Sequence, residues 1–227
     1  MDFTYEQVAK MIDYALLNPA MSDAEMEKGC DLAIKYDVAA VCVKPYFLKR
    51  CVELLKGTTV KPTTAIGFPH GSQTTAAKTA ESKEAIRNGA LELDMVVNIG
   101  KVLSGDWNFV REDIAAVVCA AHENAAIAKV IFENCYLTKD HKIALCRICA
   151  EAHADFAKTS TGIATGGATK EDIEIMRAHL PENIRLKAAG GIRTLDGLLE
   201  FRALGVARIG TSATPTILDE CRHRLDI

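Results

Sequence analysis

The sequence predicts an α/β chain folded as a single-domain (β/α)8 TIM barrel spanning residues 1–227, with an additional N-terminal helix. Three observations predict it. Short β-branched runs alternate with amphipathic helical stretches, which argues for a parallel sheet covered by helices. The chain has 227 residues, a length at which such a barrel closes as one unit of roughly 200–250 residues. No GxGxxG follows the first strand, and no Pro- or Ser-rich linker divides the chain. Both absences count against the alternative of a doubly wound open sheet.

The only apolar stretch before the regular series is 11–17 (MIDYALL), assigned as a short first strand after the N-terminal helix. Seven further strands are expected at 38–43, 60–66, 91–96, 127–132, 155–158, 184–188 and 206–209. Helical patterns fill the gaps at about 46–56, 73–88, 107–122, 138–152, 169–179, 195–203 and 212–223.

Composition narrows the function. Hydrophobic residues make up 49% and charged residues 25%, as in an ordinary globular protein whose core needs no disulfide or metal staple. A net charge of −3 gives no argument for nucleic acid or an anionic membrane as a partner. The eight cysteines are scattered through apolar-periodic segments and read as free buried thiols of a reducing compartment. Cys146 and Cys149 form a lone CxxC without a second ligand pair. The N-terminus lacks the basic region and long apolar core of a signal peptide. No apolar run approaches about 18 residues. A cytoplasmic location is expected. The six histidines form no HxH or HExxH, so no metal is expected.

Charge inside strands is the chemical signal. Lys129, Lys158 and Lys187 each fall in or at the end of a strand, 29 residues apart in both steps, about one βαβ repeat. Asp94 holds a comparable place on the strand before Lys129. The spacing predicts three amines and a carboxylate at one end of the barrel, the end where active sites of this fold lie. Burying an ammonium is costly unless it is paired or loses its proton. Lysine attacks a carbonyl only as the neutral amine, and its ordinary pKa of about 10.4 leaves little of that form at neutral pH. Desolvation and a neighbouring cation both favour it. Lysines on adjacent strands therefore suit Schiff-base chemistry. Lys158 is followed by Thr159-Ser160-Thr161-Gly162, whose hydroxyls can orient a carbonyl or water. Lys187 is followed by Ala188-Ala189-Gly190-Gly191, and the last strand by Gly210-Thr211-Ser212. Both glycine turns precede helices, at the loops where such barrels bind phosphate.

These stretches together resemble the deoxyribose-phosphate aldolase family over nearly the whole chain. The resemblance rests on residues 92–100 (ELDMVVNIG), 129–131 (KVI), 155–162 (DFAKTSTG), 166–169 (GGAT), 187–194 (KAAGGIRT) and 208–212 (RIGTS). It implies a class I aldolase that needs no cofactor and reversibly cleaves 2-deoxy-D-ribose 5-phosphate to D-glyceraldehyde 3-phosphate and acetaldehyde. Lys158 would form the Schiff base. Lys187 would perturb it and share in proton transfer, and Asp94 would be the proton-transferring carboxylate. Lys129 and Asp13 would line the substrate site with Thr159, Gly162, Gly190, Gly191, Gly210 and Ser212. A homodimer is also implied. Two other readings stand beside it: a related Schiff-base aldolase with a different donor or acceptor, and a non-catalytic phosphosugar-binding barrel. The chain departs from the family pattern in three places. It has Tyr14-Ala15 after Asp13, Ile163-Ala164 in the loop after Lys158, and no C-terminal tyrosine.

Overall fold

The computed structural model describes residues 3–227. Eight parallel strands close into a barrel in sequence order. They are β1 (Ile12–Leu16), β2 (Ala40–Val43), β3 (Lys61–Ile66), β4 (Glu92–Val96), β5 (Ile127–Ile131), β6 (Phe156–Lys158), β7 (Arg185–Ala189) and β8 (Val206–Thr211). Closure is direct: β1 pairs with β2 on one side and β8 on the other, with Asp13 opposite Ala40 and Gly210. That rules out the open sheet. The N-terminal helix α1 (Tyr5–Ala9) is present, capped by Thr4 and Gln7.

The outer ring comprises α2 (Asp23–Tyr36), α3 (Leu48–Leu54), α4 (Thr75–Arg87), α5 (Ile99–Leu103), α6 (Trp107–His122), α7 (Lys139–Glu151), α8 (Lys170–His179), α9 (Leu195–Ala203) and α10 (Thr214–Leu225). Two of these lie outside the helices expected from the sequence. α2 follows the first strand, and α5 is a single short turn capped by Asn98. The expected helix at 46–56 is shorter, with a 3-10 turn at Pro45–Phe47 leading into α3. Cys119 and Cys135 are exposed, against the expectation that every thiol is buried; the other six are buried. No helix among the described residues is long and apolar enough to cross a membrane.

Strand alternation separates two environments. In β4 the side chains of Leu93 and Met95 join the apolar core beneath the helices, while Glu92 and Asp94 turn the other way. Asp13 and Lys129 lie on β1 and β5, which are not neighbours, so their contact crosses the barrel interior. The apolar shell thus surrounds a charged centre.

The candidate active site

The interior charges form one connected cluster. Lys158 Nζ donates to Asp94 Oδ2 at 2.7 Å, and Lys187 Nζ donates to the same oxygen at 2.7 Å. Lys187 also makes a short bond to Asp13. Lys129 Nζ lies 3.1 Å from Asp13 Oδ2, 2.5 Å from Glu92 Oε2 and 3.0 Å from Asp94 Oδ1. The last is an ion pair without hydrogen-bond geometry, so Oδ1 has a counter-charge and no donor. Arg208 Nη1 closes the cluster at 2.5 Å from Asp13 Oδ1 and 3.3 Å from Glu92 Oε2. Four cations therefore face three carboxylates, Asp13, Glu92 and Asp94, with one positive charge in excess.

Burial and charge oppose each other at each group. Burial pushes the Asp13 carboxyl up, but Lys129, Lys187 and Arg208 together hold it well below the usual range. Asp94 is likewise held down by Lys129, Lys158 and Lys187 against its own burial. Lys187 goes the other way. Burial, with repulsion from Lys129 and Lys158, outweighs Asp13 and Asp94 and holds this amine below the ordinary lysine value. Lys129 is raised despite burial because Asp13, Asp94 and Glu92 surround it.

The equal spacing of the lysines predicts one level; the register puts them at two. Lys158 is opposite Lys187, but its partner on β5 is Ile131. Lys129 is opposite Asp94 and Phe156, two residues deeper along the strands, a drop of roughly 7 Å. The stagger between barrel strands converts an even repeat into layers.

A cavity of about 380 Å³ opens above the cluster. Asp13, Lys158, Lys187 and Gly210 lie at its base, and Gly162, Gly190, Gly191 and Ser212 line it further up the strand ends. Gly162, Gly190 and Gly191 all have positive φ, which frees their backbone to turn toward a ligand. Three residues expected at the substrate do not line the cavity. Asp94 and Lys129 are wholly buried behind Lys158 and Lys187. Thr159 follows Lys158 and takes the opposite side of the strand. Its hydroxyl accepts from Ala189 N–H at 3.2 Å, tying the end of β6 to β7.

Sequence reasoning missed Glu92 and Arg208 as members of the cluster, although both are charges inside apolar strands, the same signal that picked out the lysines. It also missed Arg193, an exposed guanidinium lining the cavity beside Gly191, with no hydrogen-bond or ion-pair partner among the described residues.

Comparison with known proteins gives the family and the fold. The DeoC/LacD family aldolase pattern matches residues 7–210. A deoxyribose-phosphate aldolase of Rhodopirellula baltica is 54% identical over 99% of this chain and 93% of its own. One from Thermococcus gammatolerans is 46% identical over 95% of this chain and 97% of its own. Among solved structures, the tetrameric deoxyribose phosphate aldolase of Aeropyrum pernix superposes with a TM-score of 0.89 at 27% identity, covering 99% of this chain and 94% of that one.

Proposed function

The chain belongs to the DeoC/LacD family of aldolases, and we propose that it reversibly cleaves 2-deoxy-D-ribose 5-phosphate to D-glyceraldehyde 3-phosphate and acetaldehyde through a Schiff base on Lys158. The observation that carries this reading is the single Asp94 oxygen shared by the Lys158 and Lys187 amines, with Lys158 at the base of the cavity. A nucleophilic amine must be uncharged. A buried cluster with one positive charge in excess relieves that excess by losing a proton.

In the synthetic direction Lys158 adds to acetaldehyde and loses water to give an iminium. The iminium nitrogen draws electrons from the adjacent carbon. Asp94, acting with Lys187 and a water, takes a proton from that carbon to give the enamine. The enamine carbon attacks the aldehyde of glyceraldehyde 3-phosphate, and water then releases the sugar phosphate from the amine. Cleavage is the reverse. The protonated imine is the electron sink, so the chain's own amine supplies the chemistry. Lys129 sets the field behind Asp94. The turns at Gly162, Gly190–Gly191 and Gly210–Ser212, with Arg193, offer amides and one cation to the phosphate. Assembly as a homodimer is part of the same proposal.

Borohydride reduction in the presence of acetaldehyde tests the role of Lys158. A reduced adduct is expected on the peptide carrying Lys158, and Lys158→Ala is expected to abolish both trapping and turnover. An adduct on Lys187 or Lys129 contradicts the assignment.

A further inference from the structure

The loops after β5 and β6 are joined by a buried carboxylate that the reaction chemistry leaves unused. Glu133 is 2% exposed and stands two residues past β5. Its Oε1 accepts from the Thr161 N–H at 3.1 Å, and its Oε2 accepts a short bond from the Thr161 hydroxyl. No cation is within ion-pair distance of it among the described residues. A carboxylate without a counter-ion inside a protein is costly unless strong hydrogen bonds reach its oxygens. The backbone adds a second cost: φ 59 and ψ 62 place Glu133 in the left-handed region, which disfavours residues with a Cβ. A left-handed backbone and a buried carboxyl group with no cationic partner, at one position that grips a cavity-lining residue, indicate a functional constraint.

Glu133 holds a turn. The Thr161 hydroxyl donates a hydrogen bond to Glu133 and accepts one from the Ile163 N–H at 3.0 Å. Both flanks of Gly162 are therefore fixed, while the Gly162 N–H has no acceptor among the described residues. The far end of the same loop is anchored on β7. Ala168 N–H donates to Ala189 O at 3.0 Å and to Gly190 O at 3.2 Å. Gly167 packs so closely on Gly190 that an added Cβ would stand 2.3 Å from its carbonyl oxygen. The Gly162 amide and the Gly190–Gly191 turn are thus held in one relation to each other.

We propose that Glu133 is a positioning residue for the phosphate end of the substrate: through Thr161 it aims the Gly162 N–H into the cavity. The proposal rests on the aldolase reading above. It predicts that Glu133 governs affinity for the phosphorylated end and not bond-making at Lys158.

The test compares wild type with Glu133→Gln, Thr161→Val and Thr161→Ser. Steady-state cleavage of 2-deoxy-D-ribose 5-phosphate and of 2-deoxy-D-ribose gives kcat and KM for each. Calorimetric titration with inorganic phosphate reads the subsite without turnover. Glu133→Gln and Thr161→Val are expected to raise KM for the phosphate ester about tenfold more than KM for the unphosphorylated sugar, and to weaken phosphate binding by about the same factor. Thr161→Ser keeps both hydrogen bonds and is expected to recover most of the phosphate affinity that Thr161→Val loses. The Thr161 pair carries the comparison if Glu133→Gln does not fold. Equal losses on both sugars, or phosphate affinity unaltered by Thr161→Val, overturn the proposal. A wild type that cleaves neither sugar overturns the aldolase reading instead, and the phosphate titration still decides the role of Glu133.

Discussion

Asp94 carries two ammonium donors on one oxygen and faces a third lysine with the other. That arrangement makes each amine's proton depend on its neighbours. Replacing Lys187 with leucine removes one cation and leaves three to balance three carboxylates. The remaining amines then hold their protons more firmly. Lys187→Leu is expected to slow imine formation near neutral pH and to move the pH–rate profile upward. The check is the rate of borohydride-trappable imine against pH; a profile that stays in place argues against coupling between the two amines. Asp94, Lys129, Lys158 and Lys187 were legible because charge is anomalous in an apolar strand, whereas Asp13 came only with the family resemblance. Thr159 was misread because strand alternation was not applied to it. If Lys158 points inward, its neighbour points out. Glu133 left no comparable mark, since its meaning depends on a left-handed turn and on a hydrogen bond across 28 residues.

At the scale of elements, the strands and most helices could be read from hydrophobic period, and α2 could not. Its buried face is Met26, Gly29, Cys30, Ala33 and Tyr36, spaced as a helix but built partly from small residues with little hydrophobic weight. Small residues are what the position needs. A Cβ on Gly29 would stand 2.5 Å from Leu16 Cδ1, so the helix lies close against β1. The missed signal was polar: Ser22 and Glu25 form a capping box, with the Ser22 N–H donating to Glu25 at 2.7 Å. Ser22→Ala is expected to destabilise the protein by about 1 kcal/mol, measured by urea unfolding. A loss within error would mean that packing on β1 alone fixes the start of α2. The level difference between Lys129 and Lys158 was illegible for another reason. Barrel stagger belongs to the closed sheet and leaves no trace in residue spacing.

For the whole molecule, the charged centre ties strands far apart in sequence, since Asp13 on β1 meets Lys129, Lys187 and Arg208 on β5, β7 and β8. Folded Asp13 and Asp94 are held below their ordinary carboxylate range. Their contribution to stability is therefore complete above the unfolded value near 4 and is lost as the pH falls below it. The urea midpoint is expected to hold between about pH 7 and 5 and to drop steeply below about pH 4. In Asp13→Asn the drop should be shallower, although the variant starts less stable. Parallel profiles for the two proteins would show that other carboxylates govern the acid limb.

The packed centre also dictates traffic. Lys129, Glu92 and Phe156 are buried beneath the two upper lysines, so the chamber is a cul-de-sac with its reactive amine at the blind end. The fragment bonded to Lys158 stays at that end until water releases it. On the proposed chemistry the aldehyde bonded to Lys158 is the innermost guest, and the phosphate-bearing half stands between it and the door. Departure then runs in a fixed queue, with the three-carbon product leaving before acetaldehyde, and arrival in the reverse sense.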